Sequence, residues 1–169
     1  MFVTAQIFGI LVIIANVLAM QMKNKKQIIL MFILANLFSA INFVLLQSYS
    51  GATICIFAIV QTFINKFFEN KNKQVPKIVI AIYIIISIIL GAITFKASID
   101  IVPIICSILY TLTIIQDKEK NIRIISLVNI LLWILYDTVC QAYTAAISDS
   151  LMTISTIIGI YRFDYKKGK

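Results

Sequence analysis

Long apolar segments alternate with short polar turns along the whole chain. A helix needs roughly 17–25 apolar residues to cross the hydrocarbon core of a bilayer, and a helix is required there because lipid offers no partner for unpaired backbone amides. The pattern therefore predicts an all-α polytopic membrane protein with seven transmembrane helices and no soluble domain. The expected spans are Val3–Met22, Gln27–Leu46, Gly51–Phe68, Ile78–Phe95, Ile99–Ile115, Ile124–Cys140 and Thr144–Tyr161.

Composition agrees with this interpretation, since 61% of the residues are hydrophobic and the mean hydropathy is +0.99. The longest polar stretch, Glu69–Lys77, is only a short loop. The formal net charge of +8 would suggest nucleic acid if the basic residues formed one soluble patch. They lie instead at the predicted helix ends, where anionic lipid head groups attract them. The expected partner is the lipid bilayer, and no nucleic acid is expected.

The basic residues also predict the orientation of the chain. All of the fifteen Lys and Arg residues except Lys96 fall in four clusters, at every second turn with its flanking helix ends and in the C-terminal tail. Basic loops stay in the cytoplasm, so the N-terminus is expected outside and the C-terminus inside. The N-terminus lacks a basic region and a cleavage site, which favours a retained first helix over a signal peptide. The clusters are Lys23/Lys25/Lys26, Lys66/Lys71/Lys73/Lys77, Lys118/Lys120/Arg123 and Arg162/Lys166/Lys167/Lys169.

The chain repeats itself after a shift of 94 residues, which places Lys26 on Lys120 and the turn at 47–52 on the turn at 141–146. The shift lays the first three spans on the last three and leaves the fourth unpaired. One unpaired span between two sets of three makes the repeats parallel, related by an axis along the membrane normal. We therefore expect a single membrane domain over 1–169: repeat one at about 3–68, a linker helix at about 78–95, and repeat two at about 99–161.

Polar side chains inside a membrane usually face protein or a water-filled path, so they indicate where a substrate would bind. The sixth span carries a polar stripe at three- and four-residue steps, and the second span carries a looser one. Asn36 and Trp133 each lie ten residues beyond a basic residue, about 15 Å from the inner boundary. The candidate substrate-binding residues are Asn36, Asn42, Tyr110, Asn129, Trp133, Tyr136 and Asp137.

Two of these side chains have alternative interpretations. Trp133 at mid-depth either stacks on a ligand or packs in the protein core. Asp137 either contacts a substrate or proton within the membrane or reaches water at the outer end of its helix.

Pro103 and Gly9 are candidate hinge positions, because the repeat aligns them and each residue type weakens a helix. A weak point in the first helix of each repeat suits a transporter that rocks between two states. A static kink that is packed against its neighbours is the alternative.

Catalytic chemistry is sparse. The chain has no His, and its three cysteines, Cys55, Cys106 and Cys140, lie in apolar segments without a close-spaced motif. No paired carboxylates, nucleophile–base motif or glycine-rich phosphate loop is visible. We expect no enzyme activity, no metal site and no cofactor.

The chain resembles the bacterial inner-membrane YgjV family, a branch of the MtN3-like superfamily that includes SWEET, PQ-loop and PnuC proteins. The resemblance lies in Gln6-Ile-Phe-Gly9, in the basic turn Lys23-Asn-Lys-Lys26, and in the segment Asn-Phe-Val-Leu-Leu-Gln-Ser-Tyr-Ser-Gly-Ala at 42–52. Gln47 departs from the family pattern, which reads Leu-Leu-Gly before the tyrosine turn. The resemblance implies two parallel triple-helix bundles joined by a linker helix (3+1+3) in the inner membrane.

SWEET-type relatives are uniporters with a central site lined by asparagines and a tryptophan, which the resemblance assigns to Asn36, Asn129 and Trp133. The expected function is facilitative transport of a small neutral polar metabolite, such as a sugar, nucleoside or vitamin, by alternating access between the bundles. A non-transporting membrane receptor or accessory subunit with the same fold is the alternative. The sequence leaves open whether the chain forms a homodimer.

Overall fold

The computed structural model describes residues 2–45, 49–71, 73–95, 98–139 and 143–165, and these residues form seven α-helices. A 3₁₀ turn, Ser98–Asp100, precedes α5, and a π-helical turn, Ile160–Tyr165, follows α7. Predictions that involve Gln47, Lys96, Cys140, Gln141 and the lysines at 166, 167 and 169 lie outside the described residues. The helices are α1 (Phe2–Gln21), α2 (Lys25–Leu45), α3 (Tyr49–Asn70), α4 (Lys77–Thr94), α5 (Ile101–Ile114), α6 (Glu119–Val139) and α7 (Tyr143–Gly159).

The all-helical prediction is confirmed. Four of the described helices, α1, α2, α3 and α6, are long and apolar enough to cross a membrane. Helices α4 and α5 are apolar but shorter. Crossing by α4, α5 and α7 therefore remains a prediction.

Three of the basic turns meet at one end of the molecule, which we call the basic end. The Nζ atom of Lys25, at the start of α2, lies 3.2 Å from Asp117 Oδ1 in the α5–α6 turn. The same atom lies 3.5 Å from Glu69 Oε1 near the end of α3. Helices α1, α3 and α5 therefore end here, and α2, α4 and α6 begin here. This up-and-down order is the order that the alternating charge pattern predicts.

Six helices contact one another in a closed cycle. Helix α1 packs on α2, α2 on α3, α3 on α5, α5 on α6, α6 on α7, and α7 on α1, while α4 packs on α5. The 94-residue shift converts the first three of these contacts into the other three. Helices α2 and α6 also begin at equivalent positions, and the Lys25 amide donates to Glu119 Oε1 at 3.0 Å with a sequence separation of 94. The first residues of α2 and α6 are therefore in direct contact.

The 94-residue shift also aligns polar contacts between α3 and α5 with polar contacts between α7 and α1. At the α3–α5 joint, Gln61 Nε2 donates to Thr111 Oγ1 at 3.2 Å. At the α7–α1 joint, Ser155 Oγ donates to the Val17 carbonyl at 2.9 Å. Ser155 is the equivalent of Gln61, and Val17 is the equivalent of Thr111. The 94-residue shift thus aligns the residues of these two hydrogen bonds, although the acceptor is a side-chain hydroxyl in one and a backbone carbonyl in the other.

Apolar side chains close the interior near the basic end. Met20, Ile28, Ile114 and Ile122 are at most 3% exposed and belong to one packed cluster, which we call the plug. Met20 corresponds to Ile114, and Ile28 corresponds to Ile122, so each half contributes the same two positions. Phe32 packs into the same cluster, next to the polar residues farther along α2.

Candidate functional site

The structure joins Asn36 to Tyr110 in a continuous chain of hydrogen bonds. The Asn36 amide nitrogen donates to the Tyr110 hydroxyl at 3.1 Å and to the Phe32 carbonyl at 2.8 Å. The Tyr110 hydroxyl lies 3.1 Å from Thr62 Oγ1, and Thr62 donates to the Ala58 carbonyl at 2.7 Å. Because the Asn36 amide nitrogen has two protons, the protein itself uses both of them. This donor group is occupied without a substrate.

The polar stripe on α6 forms a second group, toward the end of the molecule opposite to the plug. The rings of Trp133 and Tyr136 meet edge to face, with centroids 5.7 Å apart. The Tyr136 hydroxyl donates to Asp100 Oδ1 at 3.4 Å, which ties the stripe to the start of α5. Asp137 is buried, whereas Trp133 is partly exposed. Both interpretations of Asp137, a contact with a substrate or proton and a carboxylate that reaches outer water, remain predictions.

Arg123, from which the expected depth of Trp133 is counted, is not an exposed residue at a helix end. It is 1% exposed and lies inside α6, which begins at Glu119. Trp133 is then about 21 Å along α6 from its start rather than about 15 Å from a charged boundary. Asn129 is about 15 Å from the start of α6, and Asn36 is about 16 Å from the start of α2. Of the α6 candidates, Asn129 is therefore the one level with Asn36.

Two of the predicted site residues have buried amide oxygens without a hydrogen-bond donor among the described residues. These atoms are Oδ1 of Asn42 on α2 and Oδ1 of Asn129 on α6. Buried polar atoms are nearly always paired, with protein, water or a ligand. Two acceptors, on the two helices that the 94-residue shift aligns, thus have no donor among the described residues.

The two hinge candidates, Gly9 and Pro103, are aligned by the 94-residue shift, but their surroundings differ. Pro103 is the third residue of α5, where a backbone N–H has no partner within the helix, so its missing donor costs no helical hydrogen bond. Gly9 faces α2, and a Cβ at this position would lie 3.2 Å from Asn42 Nδ2. The glycine thus permits close packing of α1 on α2 beside an unpaired acceptor. The hinge role of both residues remains a prediction.

Two cavities are prominent in the part of the chain that the structure describes, and neither is lined by the predicted substrate-binding residues. One is a polar cleft of about 480 Å³ at the basic end. The other is an apolar groove between α2 and α3 of about 290 Å³. The described His, Cys, Asp and Glu residues form no group that could hold a metal ion.

Sequence reasoning missed the most deeply buried charged group in the described residues. Arg123 donates through Nη1 to Asp164 Oδ1 at 2.7 Å, and through Nε and Nη2 to the carbonyls of Met20 and Met22 at 3.3 and 2.7 Å. These carbonyls lie at the end of α1, where the helix offers them no donor. Arg123 therefore fastens the end of α1 to α6 and to the turn after α7. The sequence feature that could have revealed it is an arginine just inside an apolar helix, because a buried guanidinium usually pairs with a carboxylate.

A model of the Imp-YgjV family, described as a bacterial inner membrane protein, matches residues 3–167. The chain belongs to the Imp-YgjV family. No curated protein and no solved structure matches the chain. The Imp-YgjV match spans both repeats, every candidate site residue and the Arg123–Asp164 pair. Together with the apolar helices, it supports a location in the bacterial inner membrane.

Proposed function

We propose that this chain is a facilitative transporter for a small neutral polar metabolite, such as a sugar, nucleoside or vitamin. The observation that carries the proposal is the pair of unpaired buried acceptors, Asn42 Oδ1 and Asn129 Oδ1. A neutral ligand rich in hydroxyl or N–H groups satisfies amide oxygens without bringing a charge into the membrane interior. Trp133 and Tyr136 supply aromatic surface on the same helix as Asn129.

The repeat supports a path along the axis between the halves. We propose that 1–169 forms one membrane domain of the 3+1+3 type, with α1–α3 and α5–α7 as parallel bundles and α4 as the linker, as in the MtN3-like superfamily. The contacts at Gln61 and Ser155, which the 94-residue shift aligns, support two like units, although α1 packs on α7 much more extensively than α3 packs on α5. Joints of this kind allow two bundles to rock against each other about a central site.

The plug determines whether the proposed path is open or closed at the basic end. With Met20, Ile28, Ile114 and Ile122 fully packed, the path is closed at the basic end, which positive residues place in the cytoplasm. Transport then requires the halves to separate there, with Gly9 and Pro103 as the proposed points of flexibility. We propose uniport as the mode of transport. The carboxylates at or near the stripe are Asp137, Asp100, which accepts from Tyr136, and Asp149, which lies close enough to Asp137 to interact with it.

A receptor or accessory subunit without transport activity is the second candidate. The observation in its favour is the chain from Asn36 through Tyr110 to Thr62, whose groups bond one another and need no ligand. A stoichiometric partner that copurifies with the protein and occupies the α2 and α6 faces would support this alternative.

Flux into liposomes tests the transport proposal. Purified protein should move at least one member of a panel of labelled neutral metabolites, at a rate that is independent of proton and sodium gradients. Asn129→Leu should reduce this flux about tenfold, because one hydrogen bond in a buried site is lost. Asn121→Leu, an exposed position on the same helix, should leave the flux unchanged.

Trp133→Ala should weaken binding of the transported metabolite, whereas Leu135→Ala on the exposed side of α6 should not. The proposal fails if no metabolite in the panel moves and Trp133→Ala leaves ligand binding unchanged.

A further inference from the structure

The polar cleft at the basic end borders the plug, since Ile114 belongs to both. Its volume is about 480 Å³, within the range of small-molecule sites. The end of α3, the loop before α4 and the α5–α6 turn form its walls. The polar residues that matter here are Lys25, Asn65, Glu69, Lys73 and Asp117.

Asn65 supplies an unused donor in this cleft. The residue is 7% exposed, and its Nδ2 atom has no partner among the described residues. The Tyr83 hydroxyl lies 3.3 Å from Asn65 Oδ1 and 3.4 Å from the Gln61 carbonyl, and in this orientation of the amide the nitrogen is the end without a partner. A buried N–H group without an acceptor is costly, so a ligand oxygen at this position is favourable.

Charges of both signs line the same cleft. Lys25 is shared between Glu69 and Asp117 at 3.5 and 3.2 Å, so this group of three has an excess of one negative charge. Lys73, in the loop between α3 and α4, supplies a positive charge at the same cleft. A ligand that carries an ammonium group and anionic oxygens matches both parts: the ammonium faces the carboxylates, and the oxygens face Asn65 and Lys73.

We propose that this cleft binds a zwitterionic group composed of an ammonium and a phosphate, such as the head group of phosphatidylethanolamine. The predicted orientation puts the basic end, and with it the cleft, where lipid head groups meet the cytoplasm. Free phosphoethanolamine has the same ammonium and phosphate groups without acyl chains. It therefore serves as the probe that distinguishes a soluble ligand from a lipid.

Native mass spectrometry of the full-length protein in detergent tests this site by titration with phosphatidylethanolamine, phosphatidylglycerol and free phosphoethanolamine. Phosphatidylethanolamine should bind more tightly than phosphatidylglycerol. Asn65→Leu should weaken its binding about tenfold, and Lys73→Ala should weaken it several-fold. Asn70→Leu and Lys71→Ala are the matched controls, because neither residue lines the cleft; both should bind like the unaltered protein.

If free phosphoethanolamine binds and the cleft variants weaken its binding, the natural ligand is a soluble molecule. If it does not bind and phosphatidylethanolamine does, the ligand is the lipid. Both results support a site for a zwitterionic group. Equal binding of phosphatidylglycerol, or equal effects of cleft and control variants, would overturn it. If Asn65→Leu does not fold, the comparison of Lys73→Ala with Lys71→Ala decides, since both lysines are exposed.

Discussion

Replacing Asp164 with alanine is expected to lower the free energy of unfolding by about 3–5 kcal/mol, because it leaves a buried charge without its partner. Arg123 Nη1 lies 2.7 Å from Asp164 Oδ1, and the two side chains are 1% and 8% exposed. The remaining donors of the guanidinium reach only neutral carbonyls at the end of α1. Thermal and denaturant-induced unfolding of the purified protein in detergent measures the change.

Asp117→Ala is the control for the loss of a carboxylate. Its side chain is 79% exposed and pairs with Lys25 at the surface, so the expected loss is below about 1 kcal/mol. The double replacement Arg123→Met with Asp164→Leu should recover most of the stability, because it removes both charges. Equal effects of Asp164→Ala and Asp117→Ala would show that the buried pair does not hold the helices together.

Gly159→Val should also destabilise the protein, by about 3 kcal/mol, because it forces side-chain atoms into a packed joint. A Cβ at Gly159 would collide with the Met20 carbonyl oxygen and would lie 3.5 Å from Arg123 Cδ. The backbone of α1 must move to accept it, and this movement also strains the Ser155–Val17 hydrogen bond.

Gly9→Ala is the matched control, since its added Cβ meets only the end of the Asn42 side chain at 3.2 Å. That amide can shift, so a change below about 1 kcal/mol is expected. Unfolding in detergent compares the two variants directly, and a Gly159→Val protein as stable as the Gly9→Ala protein would refute the close approach of α7 to α1.

The sequence predicts the helices well because their signal is long and repetitive. Each span is an apolar segment bounded by polar residues, and the starts of α2 and α6 coincide with basic turns. The sequence shows the 94-residue correspondence for the same reason, since α2 begins at Lys25 and α6 begins 94 residues later, at Glu119. The 3₁₀ turn before α5 was not readable, because an Ile-rich segment gives no sign of where the helix begins.

Side-chain partners were much harder to predict than helices. Asn36 and Tyr110 both belong to the predicted site, but their mutual hydrogen bond depends on how α2 meets α5, which no local pattern specifies. The sequence pattern groups Arg123 with the lysines at helix ends, because charge alone does not distinguish a solvent-exposed residue from a member of a buried ion pair. The partner that decides the matter, Asp164, is 41 residues away. Contacts between distant segments set these roles, and they appear only after folding.

Cysteine labelling from each side of the membrane tests the central claim, that the two repeats have the same orientation. Asn24→Cys and Lys118→Cys occupy equivalent basic turns, and Phe95→Cys marks the opposite end, in a chain whose native cysteines are replaced. A membrane-impermeant maleimide should label positions 24 and 118 only after the cells are permeabilised, and position 95 in intact cells. Labelling of positions 24 and 118 from opposite sides would contradict the account.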